Sequence, residues 1–591
     1  MKRDGEPTGA RSKARQRSAL MWILQVMEPD KFRVILILVL QSVQALASLA
    51  LAMELRSFIN GVVAGDASAF RTGAAALLGL MLLIICLSSG LRFLTEYTST
   101  AICKRFQLRE LRGILDKSYS EVSSIHSGEW LNRINSDTNI VSSGATNIAP
   151  NVFSMCVRLV GALVLLIQLI PEVSFVIIPA GCALGVLTFL FRGKLKSLHK
   201  EQQEAQGAFR VFLQERLQNL LVIHSFSKEA DVMEEGGECS ETFRRKHIRR
   251  DNFSNVCNVG FGIVMDGAYI LGICYCGYRI LNGTLGYGTL IAVMNLIGQV
   301  QSPFANLSGY VPQYYAMLAS AERLMEIEGF ADAFAEDPHP LGEVLDFYGR
   351  ELVSVDLRGV SFSYDAVSKS AAGEIGEVER DERAARKRVL SNFSASIPKG
   401  SIVAVTGPSG CGKSTMLKIL MCLYPLEGGE CVLVTKEGET RLDGRWRELY
   451  AYVPQGNQLM AGSIREAVTF GDETRYGDDG GIWKALRAAD AEGFVSGLPG
   501  GLDAELGEHG SGLSEGQVQR IAIARAIYAG HPVLLLDEST SSLDEKTERD
   551  VLHNIKSMTD CTVVLVTHRK APLGICDLQI DMGGTGRDRE D

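Results

Sequence analysis

The sequence predicts two domains of different fold class, an α-helical polytopic membrane domain followed by an α/β domain. Three observations support this division. Six apolar stretches, each near the roughly 20 residues that cross a bilayer, lie in about the first 320 residues of the 591-residue chain. The composition then becomes that of a soluble α/β protein. Within that part, Ser401–Thr415 reads as a buried strand and a glycine-rich turn, and a helical pattern follows.

The first segment, residues 1–30, is predicted to be a cytoplasmic tail and an interfacial helix. Its tail is rich in basic residues, including Lys2, Arg3 and Arg11. The apolar run Leu20–Met27 is too short to span a bilayer, so we expect a helix that lies at the membrane surface.

Residues 31–328 form the predicted membrane domain of six transmembrane helices with long cytoplasmic extensions. We place the spans near Val34–Met53, Ala74–Leu94, Val152–Ile170, Val173–Phe191, Gly260–Leu281 and Thr289–Leu307. Lys and Arg are concentrated in the two long loops, between the second and third spans and between the fourth and fifth. Because basic loops stay in the cytoplasm, both termini and the α/β domain are predicted to be cytoplasmic. We expect an integral protein of the bacterial inner (plasma) membrane, in contact with the lipid bilayer.

Polar side chains recur on one face of the first span and on one face of the sixth. They are Gln41, Gln44 and Ser48, and Asn295, Gln299, Ser302 and Asn306. Two explanations stay open, namely a polar cavity that contacts substrate and hydrogen bonds between helices. Arg158 and Asp266 lie at similar predicted depths, and an ion pair between them is favoured over contact with substrate.

The net charge and the cysteine pattern do not favour nucleic-acid binding, disulfide bonds or a cysteine metal site. The net charge of −9 does not favour nucleic acid as a partner. The thirteen cysteines include no CxxC pair, which favours free thiols over disulfides or a metal site.

Residues 329–350 are the predicted linker and residues 351–591 the predicted nucleotide-binding domain. The linker contains Asp337–Pro340, which is typical of a connector. A strand pattern ends at Tyr364, and the charged residues 365–388 that follow predict a flexible surface insertion. The insertion could regulate the protein or only decorate its surface.

The glycine-rich turn has the chemistry of a phosphate-binding loop. Gly407–Ser414 matches the pattern G-x-x-x-x-G-K-[ST]. Its glycines let backbone N–H groups converge on phosphate oxygens, and the N-terminus of the following helix favours negative charge. Lys413 can reach the β- and γ-phosphates, and the hydroxyl of Ser414 can bind Mg²⁺.

Two further strands carry polar residues at their ends. Four apolar positions precede Asp537 and Glu538, and Thr562–Thr567 precedes His568. Ligands bind at the carboxyl edge of open parallel sheets, so these side chains are predicted near the phosphate loop. Asp537 suits the organisation of Mg²⁺, and Glu538 suits a general base for water.

Six spans followed by these motifs resemble an ATP-binding-cassette (ABC) half-transporter of the exporter type, with the type IV exporter fold. The resemblance covers nearly the whole chain and implies a P-loop ATPase domain with a helical subdomain. It implies ATP and Mg²⁺ as cofactors. The residues implied to bind ATP are Tyr364 (stacked on adenine), Gly407, Ser409, Gly410, Cys411, Gly412, Lys413, Ser414, Thr415, Ser514, Gly516, Gln517 and Asp544. The residues implied to hold Mg²⁺ are Ser414, Gln455 and Asp537, and those implied in catalysis are Glu538, His568 and Gln455.

One departure from the family pattern is the signature, which reads LSEGQ instead of LSGGQ. The residues that the family uses on the γ-phosphate, Ser514 and Gly516, are retained. The family binds ATP between the phosphate loop of one subunit and the signature of another, which implies a homodimer or a heterodimer. The resemblance implies an ATP-driven exporter or flippase of amphipathic small molecules, peptides or lipids. An importer of, for example, a metal chelate, and an ATP-gated channel or regulatory subunit, are the alternatives.

Overall fold

The computed structural model describes residues 8–333, 337–364, 388–456, 459–472, 474–507, 510, 512–558, 561–569 and 572–583. Residues 365–387 of the predicted insertion lie outside this set. The chain divides into two compact units, one of Met1–Gln107 with Asn135–Arg323 and one of Leu108–Ile134 with Leu324–Asp591. The second unit therefore includes a segment between the second and third predicted spans, Leu108–Ile134.

The helices among the described residues are α1 (Thr8–Val26), α2 (Lys31–Val63), α3 (Ala67–Asp116), α4 (Tyr119–Val122), α5 (Ser127–Asn132), α6 (Thr138–Leu169), α7 (Ser174–Gln218), α8 (Leu220–Ser225), α9 (Glu229–Leu281), α10 (Tyr287–Met325), α11 (Leu341–Arg350), α12 (Lys413–Leu420), α13 (Ile464–Thr469), α14 (Asp479–Ala488), α15 (Glu492–Ser496), α16 (Glu515–Ala529) and α17 (Glu545–Met558). The strands are β1 (Leu352–Phe362), β2 (Leu390–Pro398), β3 (Ile402–Thr406), β4 (Gly428–Thr435), β5 (Glu439–Arg441), β6 (Tyr450–Val453), β7 (Gly462–Ser463), β8 (Glu505–Leu506), β9 (Val533–Asp537), β10 (Thr562–Val566) and β11 (Leu578–Asp581).

Four helical segments in the described part of the first half are long and apolar enough to cross a membrane. They are Glu28–Val63, Ala67–Asp116, Ser127–Leu169 and Glu229–Leu281, and they contain the first, second, third and fifth predicted spans. The fourth and sixth predicted spans lie on α7 and α10, helices of 45 and 39 residues. At 1.5 Å per residue, the 50 residues of α3 and the 53 of α9 reach about 75–80 Å, so both extend far beyond a hydrocarbon core of about 30 Å.

The N-terminal helix α1 packs one apolar face into the first unit. Trp22 is buried, and its ring centroid lies 5.2 Å from that of Phe106 on α3. Next to it, Arg105 Nη1 donates to Asp30 Oδ2 at 2.7 Å. The helix is longer than the predicted run Leu20–Met27, because it already begins at Thr8.

Polar residues of the predicted spans make hydrogen bonds between helices. Gln299 on α10 donates from Nε2 to the carbonyl of Ser48 on α2 at 3.1 Å. Asn295 instead donates to Ile291 of its own helix at 3.4 Å. The side chains of Ser302 and Asn306 lie outside the described residues.

The favoured ion pair between Arg158 and Asp266 is wrong. Neither residue takes part in any of the ion pairs of the described residues, and Asp266 is exposed on α9. Arg158 lies on α6, which packs along α2, whereas α9 packs along α7. Equal depth therefore does not bring the two charges together, because their helices have different neighbours.

The second unit contains a parallel sheet and an antiparallel sheet. The parallel sheet has the order β11-β3-β10-β9-β6, and the antiparallel sheet has the order β2-β1-β4-β5. Alternate residues of β3 enter different cores: Val403 and Val405 join the core with the antiparallel sheet and α12, and Ile402 joins the core with α13, α14, α16 and α17. Both faces of β3 are covered, which explains its uninterrupted apolar sequence.

Half of the predicted linker is part of this unit. Leu341–Arg350 forms α11, and its Val344 and Tyr348 are buried in the core of the antiparallel sheet. The hydroxyl of Tyr348 is 2.9 Å from Thr562 Oγ1. The segment that precedes α11 pairs with the chain after α3, where Ser118 N donates to the carbonyl of Ala331 at 2.8 Å.

Candidate active site

The parallel sheet brings three predicted site segments to one edge. β3, β10 and β9 are neighbours, and Val566 is paired with Val405 on one side and with Asp537 on the other. Because all three strands run in the same direction, the phosphate loop, Glu538 and His568 follow them at the same carboxyl edge. The sequence prediction of this juxtaposition is confirmed by the register.

The phosphate loop requires glycine at two positions. Gly407 and Gly412 have φ angles of 146° and 102°, which side-chain-bearing residues rarely adopt. A Cβ atom at Gly412 would lie 2.9 Å from Val389 Cγ1, and one at Gly407 would lie 2.9 Å from Cys411 Sγ. The turn is therefore closed tightly enough for its backbone N–H groups to converge.

Lys413 is held inside this turn at the first residue of α12. Its side chain is buried, and Nζ donates to the carbonyls of Gly407 and Pro408 at 3.0 and 2.9 Å. The ammonium group and the helix N-terminus thus lie together, which is the arrangement that binds the β- and γ-phosphates of a nucleotide.

Asp537 is buried between two hydroxyl groups. Ser414 Oγ donates to its Oδ1 at 2.9 Å, and Tyr452 OH donates to its Oδ2 at 3.0 Å. Burial raises the pKa of the Asp537 carboxyl, and the hydrogen bonds from Ser414 and Tyr452 oppose that rise. The aspartate and the serine offer neighbouring oxygen ligands of the kind that Mg²⁺ prefers.

Among the described residues, no group of three or more His, Cys, Asp or Glu side chains could hold a metal ion.

Glu538 is fixed by two side chains from neighbouring segments. Gln455 Nε2 donates to its Oε2 at 2.7 Å, and His568 Nε2 lies 3.1 Å from its Oε1. Glu538 also has a φ angle of 49°, which costs about 1–3 kcal/mol for a residue with a side chain. Its carboxylate thus contacts a side chain from the segment after β6 and one from the segment after β10.

Tyr364 lies beside the start of α12, where the resemblance implies an adenine. Its hydroxyl is 2.9 Å from Thr415 Oγ1, and its ring packs edge-on against Tyr424 with centroids 5.5 Å apart. The residue is 43% exposed.

The signature forms the N-terminus of α16. Ser514 caps the helix, accepting from Gln517 N at 3.3 Å while Gln517 Oε1 accepts from Ser514 N at 2.9 Å. A Cβ atom at Gly516 would lie 3.1 Å from the carbonyl of Ser542 in the segment that leads to Asp544. Asp544 itself caps α17 by accepting from Thr547. Within the described residues, no hydrogen bond or ion pair joins these groups to the phosphate loop of the same chain.

Two site residues were missed by the sequence analysis. Tyr452 binds Asp537, and Arg569 donates to the carbonyls of Ser541 and Leu543. The sequence could have indicated Tyr452, because it directly precedes Val453-Pro-Gln455 at the end of strand β6. Arg569 has no comparable signal beyond following His568 directly.

A parallel sheet that carries a phosphate loop, a buried aspartate, a glutamate and a histidine to one edge defines a P-loop nucleoside triphosphatase. The protein-family model of the ABC transporter transmembrane region matches residues 34–304. The protein-family model named ABC transporter matches residues 390–541. The chain therefore belongs to the ABC transporters, a family of ATP-hydrolysing transporters, with membrane and ATPase regions fused in one polypeptide.

Relatives and a solved structure agree with this assignment. The chain is 28% identical over 468 residues to ABC transporter B family member 1 of Dictyostelium discoideum, across 77% of the chain but only 48% of that protein. It is 29% identical to a multidrug resistance ABC transporter ATP-binding and permease protein of Lactococcus lactis, across 77% of the chain and 72% of that protein. A bacterial Atm1-family ABC exporter solved with ATP bound superposes with a TM-score of 0.73 at 20% identity, covering 95% of this chain and 94% of the other. The fold is that of ABC exporters.

Proposed function

We propose that two copies of this chain form an ATP-driven exporter or flippase of amphipathic small molecules, peptides or lipids. The observation that carries the proposal is the arrangement of Glu538, which lies 2.7 Å from Gln455 and 3.1 Å from His568. A positioned base serves hydrolysis, whereas a channel or regulatory subunit that ATP only gates has no need of one. The multidrug resistance protein among its relatives supports an amphipathic substrate.

Each site residue has a role in this proposal. Glu538 orients the attacking water and accepts its proton, and His568 and Gln455 hold the Glu538 carboxylate in position. Lys413 and the loop N–H groups bind the phosphates, and Tyr364 stacks on the base. Mg²⁺ would be held by Ser414, Asp537 and Gln455, and when bound it neutralises charge on the phosphates.

The number of ATP-binding motifs in one chain supports the proposed dimer. The chain contains one phosphate loop and one signature. In a two-fold dimer, Ser514, Gly516 and Gln517 of one copy would meet ATP held by the phosphate loop of the other, where the N-terminus of α16 favours the γ-phosphate. Asp544 would lie in the same interface. Two such sites form per dimer, and closing them would drive alternating access.

An exposed apolar surface on the first unit supports the presence of a partner. It surrounds α8 and includes Leu221, Phe226 and Met233, which are 83%, 73% and 75% exposed. Several exposed apolar side chains close together in the chain favour a surface that another protein covers. A second copy of the chain is the simplest partner, and a related half-transporter is the alternative.

The test is transport by the purified protein in sealed vesicles. We expect ATP-dependent movement of an amphipathic fluorescent compound away from the leaflet or compartment that holds the nucleotide-binding domain. Glu538→Gln should still bind ATP but hydrolyse it more than about a hundredfold more slowly, because general-base catalysis contributes about 10²–10⁴-fold. Glu437→Gln, a change of the same chemistry at an exposed turn residue, is the control and should behave as wild type.

Three results would overturn the proposal. Normal turnover by Glu538→Gln would remove Glu538 from its role. Movement in the opposite direction would identify an importer, and ATP-dependent current without coupled turnover would identify a channel.

A further inference from the structure

One arginine in the membrane domain, Arg158, has no partner for its charge among the described residues. Arg158 makes no hydrogen bond and no ion pair with any described residue, and its Nε atom is buried without an acceptor. The residue as a whole is only half-buried, so part of the guanidinium remains accessible. It lies 11 residues before the end of α6 at Leu169, about 16 Å along the helix and therefore close to the middle of a hydrocarbon core of about 30 Å.

The position of Arg158 on α6 is fixed by contacts on either side of it. One turn earlier, Ser154 Oγ donates to the carbonyl of Gln41 on α2 at 3.2 Å. One turn later, Gly161 packs so closely that an added Cβ atom would lie 2.3 Å from Leu49 Cδ1. Arg158 lies between these contacts on the face of α6 that packs against α2. The guanidinium is therefore held at this helix pair and is not free to reach the aqueous surface.

Two side-chain hydrogen-bond acceptors, one on α2 and one on α10, lie near the same stretch of α2. The Oε1 atoms of Gln41 and Gln299 are buried without a hydrogen-bond donor among the described residues. Gln299 is tied to this stretch by its bond to the carbonyl of Ser48. A charged guanidinium and two free carboxamide oxygens are costly inside a bilayer, and such groups mark the path of a polar or charged ligand.

We propose that Arg158 binds the anionic group, a carboxylate or a phosphate, of an amphiphile that this domain transports. The inference rests on the proposed function. A guanidinium presents paired N–H donors that match the two oxygens of a carboxylate or a phosphate. Gln41 and Gln299 accept hydrogen bonds from N–H or O–H groups of the same polar head, and the apolar chain lies along the helices.

The test compares matched probes that differ only in charge. N-dodecanoylglycine, its uncharged amide and dodecyl phosphate are titrated against the full-length protein in nanodiscs of neutral phosphatidylcholine, without nucleotide. We expect wild type to bind both anionic probes at least about tenfold more tightly than the amide, since a charge-assisted hydrogen bond contributes about 1.5–3 kcal/mol. Nanodiscs that contain phosphatidylglycerol identify the source of the anion: a lipid headgroup that occupies the site weakens probe binding, and a free amphiphile is indicated when binding is unchanged.

Arg158→Gln should lose the preference for anions and keep its affinity for the amide, which also shows that the variant is folded. Arg158→Lys keeps the charge but not the paired donors, so it should retain only part of the preference. Arg92→Gln, which removes an exposed arginine of α3, is the charge-matched control and should bind as wild type. The proposal is overturned if wild type shows no preference, if Arg158→Gln keeps it, or if Arg92→Gln loses it equally.

The proposed function can fail separately from this inference. Equal ATP-driven transport of the anionic and uncharged probes would overturn the role of Arg158 and leave the transporter intact. A preference for anions that depends on Arg158, together with no ATP-driven movement of any probe, would overturn the transporter and leave the binding site intact.

Discussion

The ring of Tyr119 packs edge-on against the ring of Tyr424, with centroids 5.9 Å apart and planes at 77°. Tyr424 in turn packs against Tyr364 at 5.5 Å and 87°. Tyr119 belongs to α4, in the loop between the second and third predicted spans, and Tyr364 is the predicted adenine-stacking residue. One buried tyrosine, Tyr424, therefore connects the loop between the second and third predicted spans to the predicted nucleotide site.

Replacing that tyrosine should weaken ATP binding. Tyr424→Leu removes the ring that supports Tyr364, and we expect the KM for ATP to rise about 2- to 10-fold with little change in kcat, because each aromatic pair contributes about 0.5–1.5 kcal/mol. Steady-state ATPase assays measure both constants. Tyr476→Leu, in the same unit but outside this cluster, should leave them unchanged. An unaltered KM in a folded Tyr424→Leu protein would show that Tyr364 does not depend on this support.

The buried aspartate should set the acid limit of activity. Burial raises the pKa of the Asp537 carboxyl, so as the pH falls it takes up a proton at a higher pH than an ordinary aspartate. Activity that needs the carboxylate should therefore decline earlier on the acid side. Tyr452→Phe removes a hydrogen bond that lowers this pKa. The acid limb of the plot of ATPase activity against pH should therefore move to higher pH.

The control for this experiment is Tyr528→Phe, whose hydroxyl donates to the carbonyl of Arg475 and does not contact the site. Its acid limb should coincide with that of wild type. An acid limb in Tyr452→Phe that stays in place, or that moves to lower pH, would contradict the argument.

Cys411 should be the cysteine whose modification stops ATP hydrolysis. It is half-buried within the phosphate loop, and its Sγ already lies 2.9 Å from where a Cβ atom at Gly407 would stand. An added N-ethylsuccinimide group would displace the loop N–H groups. Burial raises the pKa of the Cys422 and Cys431 thiols to about 12 and about 11, which keeps them neutral and slow to react.

We expect N-ethylmaleimide to abolish the ATPase activity of wild type and to spare Cys411→Ala, with ATP protecting wild type. Peptide mass spectrometry identifies the modified cysteine. Full activity in a protein whose Cys411 is verified as alkylated would refute the prediction.

The sequence predicted the site better than it predicted the contacts between helices. The phosphate loop, Asp537, Glu538 and His568 follow directly from strands whose ends must share one edge, so local pattern and sheet topology suffice. The pairing of Arg158 with Asp266 failed because depth along a helix does not determine which helix lies beside it. The sequence predicts a linker where α11 lies, because Asp337–Pro340 obscures the ten amphipathic residues that follow.

Arg569, which carried no sequence signal, should stabilise the segment between Glu538 and Asp544. It donates from Nη1 to the carbonyl of Leu543 at 2.5 Å and from Nη2 to that of Ser541, and it lies 3.8 Å from the fully buried Glu548. Arg569→Ala leaves Thr540 as the remaining partner of Glu548 among the described residues. We expect a loss of about 1–3 kcal/mol in the free energy of unfolding of the nucleotide-binding domain, because two carbonyls lose a hydrogen-bond donor and the buried Glu548 carboxylate loses a nearby positive charge.

The double variant Arg569→Ala with Glu548→Gln separates two causes of the lost stability. One is the buried charge of Glu548, and the other is the loss of the hydrogen bonds to the carbonyls of Ser541 and Leu543. Removing the buried charge should restore part of the stability, and the carbonyls of Ser541 and Leu543 account for the part that remains lost. Thermal unfolding of the full-length protein in detergent, followed by tryptophan fluorescence, measures the change. A double variant less stable than Arg569→Ala would mean that Glu548 is stabilised by groups other than Arg569, and the proposed support of this segment would be wrong.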